Sequence, residues 1–326
     1  MNAIGILGAG AWGTALALSA ARAGREVILC GRDAVAMAQM RASGENARHL
    51  PGIQFGPKIG PTSNIGDLMG ADAILLAVPS QEIRVATLAL APHLKTTTPL
   101  VITAKGIERS SGLRLSQVLS ETVPGASVAV LSGPSFAVDV ARGLPTAVTI
   151  AAYDPALAAD LARALASASL RPYAENDVVG VELGGALKNV LAIAAGVVAG
   201  RGLGASALAA LVARGFAELR RFAEAFDARP ETLMGLSGLG DLVLSCSSTQ
   251  SRNFSHGFTL GTGRPSDPTH PLVEGVPTAA VARDLARERG VSMPLTEAVA
   301  QILAGEIGID AAVERLMSRP LRREAD

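Results

Sequence analysis

The chain has 326 residues, 49% of them hydrophobic and 18% charged, a length and composition that predict two globular domains and exclude long disordered segments. Its 29 basic side chains balance 29 acidic ones, which argues against nucleic acid as the main partner. Two cysteines, Cys30 and Cys246, and the absence of a secretory signal lead us to expect a cytoplasmic protein without a disulfide framework.

The first predicted elements form a βαβ unit around a glycine-rich loop. A short apolar strand breaks into G-x-G-x-x-G, after which residues 14–22 favour a helix and residues 26–30 a second strand. Gly8 would allow a sharp turn, Gly10 would let a pyrophosphate approach the backbone, and Gly13 would let the helix pack close to the sheet. The helix N-terminus would present free N–H groups to the phosphates. We therefore predict a dinucleotide site, the alternative being an ordinary tight turn.

The residue after the second strand bears on the choice of cofactor. NAD enzymes usually place an acidic side chain there against the ribose hydroxyls, whereas this chain has Arg32 followed by Asp33. An arginine suits a ribose 2′-phosphate better, so Arg32 favours NADP, while Asp33 leaves NAD open. A solvated surface arginine is the alternative interpretation of Arg32.

Further along the chain, apolar runs typical of strands buried on both faces alternate with helical segments. Residues 44–61 are expected to be a polar connection, and Ser80 is placed to cap a helix. Strands are predicted over residues 73–78, 99–103, 127–131, 146–151 and 170–174. Two of these strands deliver Lys105 and the segment 132–136 to the carboxyl edge, where open α/β sheets bind ligands. The pattern predicts a doubly wound, Rossmann-type sheet.

Near residue 175 the pattern changes, and helical periodicity replaces strands. We predict an α/β dinucleotide-binding domain over residues 1–174, followed by an all-α substrate-binding domain over residues 175–326. Residues 183–198 are apolar and long enough to raise the question of a membrane span. Lys188 in the middle of this segment favours a helix buried in the protein instead.

Lys188 is the most informative single residue of the helical half. An ammonium group in so apolar a helix loses hydration and needs either partners or a purpose. As a proton donor, Lys188 would have its pKa lowered from about 10.4 by burial and by a second cation such as Lys105. The alternatives are a lysine that reaches solvent from the helix edge or one that pairs with Glu182.

Two further stretches carry polar groups that could serve a site. Asp241 lies in a glycine-bracketed turn, where a helix cap is the ordinary interpretation. Arg252 between Ser251 and Asn253 offers a planar donor group that suits a phosphate, the alternative being a surface arginine. The four histidines show no metal-ligand spacing, so no metal site is predicted.

Seven motifs identify a family that the chain resembles over almost its whole length, the bacterial-type NAD(P)-dependent glycerol-3-phosphate dehydrogenases. The motifs are GAGAWGTALA at 8–17, AKG at 104–106, SGPSFA at 132–137, ELGGALKN at 182–189, LSGLGDL at 236–242, SRN at 251–253 and VEG at 273–275. The resemblance implies reversible hydride transfer between NAD(P)H and dihydroxyacetone phosphate. The product would be sn-glycerol 3-phosphate for glycerophospholipid synthesis.

The resemblance also implies roles for individual residues. Lys188 resembles the proton acceptor of the oxidative direction, Lys105 resembles a lysine that touches substrate and cofactor, and Asp241 and Asn189 would orient the reacting groups. The implied substrate contacts are Lys105, Gly133, Ser135, Lys188 and Asp241, with Ser251, Arg252 and Asn253 at the phosphate end. Together with the glycines of the first loop, the cofactor contacts would be Ala11, Trp12, Arg32, His49, Lys105, Ala137, Arg252, Val273 and Glu274.

Some residues depart from the family pattern, and two rival functions remain at this stage. His49 stands where relatives usually have tyrosine or phenylalanine, and Ser245 where threonine is common. One rival is another Rossmann-plus-helical dehydrogenase acting on a hydroxyacid or a ketopantoate-like substrate, against which the Arg252 cluster argues. The other is a non-catalytic NADP-binding sensor, which the presence of Lys188 and Asp241 disfavours. A homodimer is a family expectation.

Overall fold

The structure is a computed structural model that describes residues 1–95, 97–264 and 273–320. Apolar runs in the N-terminal half form one eight-stranded sheet. Its strands are β1 (Ala3–Leu7), β2 (Glu26–Cys30), β3 (Ile59–Thr62), β4 (Ala73–Leu76), β5 (Leu100–Ile102), β6 (Val128–Ser132), β7 (Thr146–Ala152) and β8 (Leu170–Glu175).

The strands lie in the order β3-β2-β1-β4-β5-β6-β7-β8. The first six are parallel, β7 is antiparallel to β6, and β8 is parallel to β7. Chain order reverses between β1 and β4, so the loops that follow these strands open a crevice at the carboxyl edge of the sheet. This confirms the predicted Rossmann-type sheet and places the glycine-rich loop and Lys105 along one edge.

Within the described ranges, six helices accompany the sheet and eight follow it. The first set is α1 (Ala11–Arg22), α2 (Ala34–Ser43), α3 (Ile83–Leu90), α4 (Leu115–Thr122), α5 (Ala137–Ala141) and α6 (Pro155–Leu165). The second set is α7 (Val178–Gly200), α8 (Ala205–Glu224), α9 (Pro230–Met234), α10 (Asp241–Cys246), α11 (Arg252–Gly261), α12 (Gly275–Glu288), α13 (Pro294–Leu303) and α14 (Ile309–Met317). Beyond Glu175 the described part of the chain contains no strand, as the predicted all-α half requires.

Two sequence predictions about the sheet half were wrong. Residues 44–61 are not a connection throughout, because Ile59–Thr62 forms the edge strand β3 beside β2. Gly60 and Pro61 hid this strand, since both residue types are depleted in strands and proline is tolerated at an edge. Ser80 does not cap α3 but lies in a 3₁₀ turn, where its N–H donates to Glu274 Oε1 at 2.8 Å.

α7 is the central helix of the second half. It alone among the described helices has the length and hydropathy of a membrane span, and 89% of its most apolar window is buried within the protein, as expected of a core helix. α7 and α11 cross in backbone contact, because a Cβ atom at Gly196 would overlap the carbonyl of Phe254 and one at Gly257 would overlap that of Ile193. This contact fixes the position of α11 relative to Lys188.

Candidate active site

The glycine-rich loop has the shape that a dinucleotide requires. Gly8 has φ +115°, and a Cβ atom there would lie 2.6 Å from the carbonyl oxygen of Ala77. A Cβ atom at Gly13 would overlap the carbonyl of Gly8, so this glycine lets α1 approach the sheet. Gly10 faces open space and begins α1 without a side-chain cap, which leaves the helix N–H groups available to phosphates. The loop therefore fits a bound pyrophosphate.

The neighbouring polar residues border this loop. Arg32 is exposed directly after β2, while the carboxylate of Asp33 accepts the N–H of Ala36 and caps α2. The buried Asn46 donates to the carbonyl of Ala9 at 3.0 Å and accepts the N–H of His49, which holds the His49 segment against the loop. Burial lowers the pKa of His49, and the charges of Arg48 and Arg252 lower it further.

Two lysines and one aspartate form the chemical centre of the crevice. Asp241 Oδ2 lies 2.6 Å from Lys105 Nζ, and Asp241 Oδ1 lies 3.1 Å from Lys188 Nζ. Lys105 also donates to the carbonyl of Gly133 at 3.0 Å, and Lys188 donates to Ser245 Oγ at 2.7 Å. The structure thus brings together the predicted residues Lys105 from the loop after β5, Lys188 from α7 and Asp241 from α10.

The electrostatics of this centre follow from its burial. Desolvation lowers the pKa of Lys188; the Asp241 carboxylate offsets part of this effect, and the charge of Lys105 adds to it. Burial alone would raise the pKa of Asp241, but Lys105 and Lys188 together hold it below its ordinary value. The carboxylate therefore stays ionised, and two ammonium groups against one carboxylate leave the cluster able to stabilise developing negative charge.

Asp241 owes its position to an irregular segment before α10. Leu236–Gly240 forms a π-helical turn, a feature that recurs at functional sites. Gly184 of α7 packs directly against this turn, since a Cβ atom there would lie 2.8 Å from the carbonyl oxygen of Ser237. The helix-cap interpretation of Asp241 was wrong, because its carboxylate binds the two lysines.

Glu182 does not pair with Lys188, contrary to one alternative raised by the sequence. Its carboxylate accepts the N–H of Ser116 at 2.7 Å and contacts Arg114 at 3.0 Å, joining α7 to the start of α4. Lys188 is 8% exposed, which also removes the interpretation of a lysine that reaches solvent. The sequence held no local signal for the Glu182 contacts, which span more than sixty positions.

The Ser251–Asn253 segment begins α11. Ser251 Oγ caps the helix by accepting the N–H of Phe254, and Arg252 is exposed. Asn253 is buried, and its amide donates to Asn189 Oδ1 at 2.8 Å while accepting the N–H of Gly275 at 2.9 Å. Arg252 is thus the exposed member of this segment.

The remaining predicted contacts lie in segments that follow β1 and β6 or precede α12. Ser135 Oγ donates to the carbonyl of Gly133 at 3.0 Å, and Ala137 begins α5. Trp12 Nε1 is buried without a hydrogen-bond partner among the described residues, which fits a polar ligand group beside the loop. Val273 and Glu274 precede α12, and Glu274 accepts the N–H groups of Ser80 and Lys105.

No cluster of three or more metal-ligating side chains occurs among the residues that the structure describes, and His270 lies outside them. Among the residues of this cluster, Ser245 had the weakest signal in the sequence. It stands where threonine is common in the family, and its hydroxyl lies between Lys188 and Asp241, 3.3 Å from Asp241 Oδ1.

Comparison with known proteins connects this geometry to one family. The family model described as the NAD-dependent glycerol-3-phosphate dehydrogenase N-terminus matches residues 3–158, and the corresponding C-terminus model matches residues 177–314. Glycerol-3-phosphate dehydrogenase [NAD(P)+] of Bradyrhizobium sp. strain ORS 278 is 57% identical over 98% of each chain. The protein of that name from Mesorhizobium japonicum is 57% identical over 98% of this chain and 93% of its own.

Solved structures agree with the sequence comparisons. The crystal structure of glycerol-3-phosphate dehydrogenase from Coxiella burnetii has a TM-score of 0.92 and 37% identity, covering 98% of this chain and 99% of that one. A ketopantoate reductase from Ralstonia eutropha has a TM-score of 0.56 and 18% identity, covering 93% and 97% of the two chains, and shares the fold alone.

Proposed function

The chain belongs to the NAD-dependent glycerol-3-phosphate dehydrogenase family, and from this premise we propose how its residues carry the reaction. The protein is an NAD(P)-dependent oxidoreductase that interconverts dihydroxyacetone phosphate and sn-glycerol 3-phosphate, a step of glycerophospholipid synthesis. The hydroxyacid, ketopantoate and sensor alternatives are set aside. The observation that carries the residue-level proposal is the shared contact of Lys105 and Lys188 with the buried Asp241.

Each ammonium group keeps one hydrogen for the substrate. An ammonium carries three donor hydrogens. Among the described residues, Lys188 uses two of them on Asp241 and Ser245, and Lys105 uses two on Asp241 and Gly133. The third hydrogen of each lysine remains for the carbonyl oxygen of the substrate.

Lys188 serves as the proton donor in reduction. When bound, the nicotinamide supplies the hydride to the carbonyl carbon. Negative charge then builds on the carbonyl oxygen, which the Lys105 and Lys188 ammonium groups stabilise. Lys188 transfers a proton from Nζ to this oxygen and becomes a neutral amine, a change favoured by its lowered pKa. In oxidation, the neutral Lys188 takes the hydroxyl proton.

Arg252 binds the end of the substrate that does not react. Its exposed guanidinium at the start of α11 suits the phosphate of dihydroxyacetone phosphate, and the positive end of the helix dipole adds to this attraction. Binding energy from the remote phosphate positions the carbonyl beside the two lysines. We assign Ser135 and Gly133 to the opposite wall of the substrate site.

The proposed cofactor preference depends on Arg32. Arg32 stands where a ribose 2′-phosphate would bind, so NADPH is the favoured cofactor, although the relatives are named for both nicotinamides. We also propose a boundary between the two domains at residues 174 and 175. We further propose that the protein is a cytoplasmic homodimer with no membrane span and no nucleic-acid partner.

An assay with both cofactors tests this function. We expect the purified protein to oxidise NADPH when dihydroxyacetone phosphate is added, and to oxidise NADH less efficiently. Binding of either cofactor without turnover of dihydroxyacetone phosphate would contradict the assigned reaction. Equal efficiency with both cofactors would contradict the role given to Arg32 and leave the reaction standing.

A further inference from the structure

A ring of hydrogen bonds surrounds the backbone of Lys105. The Lys105 N–H donates to Glu274 Oε2 at 3.1 Å, and the Lys105 carbonyl accepts from Asn189 Nδ2 at 2.9 Å. Asn189 Oδ1 accepts from Asn253 Nδ2 at 2.8 Å, and Asn253 Oδ1 accepts the N–H of Gly275 at 2.9 Å. Because Gly275 follows Glu274 in the chain, the ring closes on itself.

The ring includes the side-chain polar groups of Asn253 and Glu274. The buried amide of Asn253 donates one of its two hydrogens to Asn189 and accepts the N–H of Gly275, and each carboxylate oxygen of Glu274 accepts a backbone N–H. All donors in the chain of amides point toward Lys105, so their dipoles reinforce one another. The family resemblance implied that Asn253 contacts the substrate and Glu274 the cofactor, whereas in the structure the side chains of both residues bind other parts of the protein.

Packing leaves little freedom to this ring. A Cβ atom at Gly275 would lie 2.7 Å from the carbonyl oxygen of Asn189 and 2.8 Å from Asn253 Oδ1. Asn189 and Asn253 are 4% and 8% exposed, so water does not replace a broken bond readily. A change at the start of α11 is thus transmitted to the main chain of Lys105.

We propose that Asn253 and Glu274 are positioning residues for Lys105, and that the ring couples the phosphate-binding start of α11 to the lysine that stabilises the reacting oxygen. The proposal rests on the proposed function for the identity of the substrate. It deepens that function, because a phosphate held by Arg252 would hold Lys105 in its working position through the adjacent Asn253. The two neighbouring residues then have different roles: Asn253 acts on Lys105, and Arg252 binds the phosphate.

A pair of substrates distinguishes the two roles. Dihydroxyacetone lacks the phosphate, so a residue that only binds phosphate does not contribute to its reduction. We expect Asn253→Ala to lower the turnover of dihydroxyacetone phosphate and of dihydroxyacetone by the same factor, on the order of 10- to 100-fold. Arg252→Ala should lower turnover of the phosphorylated substrate by a much larger factor than turnover of dihydroxyacetone, on which Arg252 can act only through its implied cofactor contact. Thr259→Ala, on the same helix but outside the ring, should change neither.

Hydrogen exchange supplies a readout independent of turnover. We expect the amide hydrogens of residues 101–108 to exchange faster in Asn253→Ala than in the wild-type protein or in Thr259→Ala. The substitution removes the bonds that hold Asn189 against the Lys105 carbonyl and Gly275 beside Glu274, the acceptor of the Lys105 N–H. If Asn253→Ala does not fold, Glu274→Gln serves as a second variant, because it retains one acceptor oxygen. We expect it to speed exchange at residues 101–108 and to lower turnover of both substrates, each by a smaller factor.

Exchange and turnover together distinguish a positioning role of Asn253 from a phosphate-binding role. Unchanged exchange at residues 101–108, together with a loss confined to dihydroxyacetone phosphate, would make Asn253 a phosphate ligand and overturn the positioning role. A different result is a wild-type protein that fails to reduce dihydroxyacetone phosphate while Asn253→Ala still exchanges faster at residues 101–108. That result would support the ring and overturn the proposed function.

Discussion

Asp241 Oδ1 lies 3.1 Å from Lys188 Nζ, and both side chains are almost completely buried. The other oxygen of the same carboxylate holds Lys105, so a single buried negative charge organises two positive ones. Removing one partner of such a contact leaves charges without compensation in a poorly hydrated site.

Asp241→Asn keeps the shape of the side chain and removes its charge. We expect the pKa of Lys188 to fall further, because the carboxylate that favours its charged form is gone. The free energy of unfolding should drop by about 3–5 kcal/mol in urea titrations. Asp310→Asn, which breaks the exposed pair with Arg201, should change stability by less than about 1 kcal/mol. Equal effects of the two substitutions would argue against a buried charge cluster.

The pH dependence of the two directions should have opposite signs. Reduction needs protonated Lys188, and oxidation needs the neutral amine. Burial and Lys105 lower the pKa of Lys188 from its ordinary 10.5 against the opposing effect of Asp241. We therefore expect kcat for reduction to fall, and kcat for oxidation to rise, as the pH increases through this lowered pKa. Profiles of kcat against pH in both directions measure it, and profiles that move together would assign the proton step to another group.

Two glycines of the first loop should respond differently to alanine. Gly10 faces open space at an ordinary φ of −75°, so Gly10→Ala should leave the melting temperature unchanged while weakening NADPH binding. Gly13→Ala would force a Cβ atom onto the carbonyl of Gly8 and should lower the melting temperature. Thermal unfolding and cofactor-fluorescence titration separate the two effects. Normal NADPH affinity in Gly10→Ala would show that the pyrophosphate lies elsewhere.

Arg32→Ser tests the source of cofactor preference. Loss of the guanidinium should raise the KM for NADPH by about tenfold or more, because a charge-assisted contact with the 2′-phosphate disappears. The KM for NADH should stay within about twofold, since that cofactor has no such phosphate. A parallel rise in both values would place Arg32 against a group common to the two cofactors.

Periodicity and glycine spacing were sufficient to predict most of the fold. The βαβ start, the strands leading to Lys105 and Gly133, and the change to helices after Glu175 all carry local signals. The edge strand β3 was not predicted, because Gly60 and Pro61 are poor strand formers and the strand forms only by pairing with β2.

The candidate site was less accessible from the sequence. The burial of Lys188 could be inferred from its apolar neighbours, but its partner could not, because Asp241 lies more than fifty positions away and reaches it through a π-helical turn. The nearby Glu182 was the natural alternative, and the structure gives it to Arg114. Contacts such as that of Glu274 with Lys105 are set by domain packing and leave no local pattern.

The most direct test of the account compares turnover and cofactor binding in Lys188→Ala. The wild-type protein should oxidise NADPH in the presence of dihydroxyacetone phosphate, and Lys188→Ala should lose about 10²- to 10⁴-fold in kcat while its Kd for NADPH stays nearly unchanged. Lys95→Ala, which removes an exposed lysine, should match the wild type in both measurements. A loss of NADPH binding in Lys188→Ala as large as the loss of turnover would contradict the account and make Lys188 a structural residue.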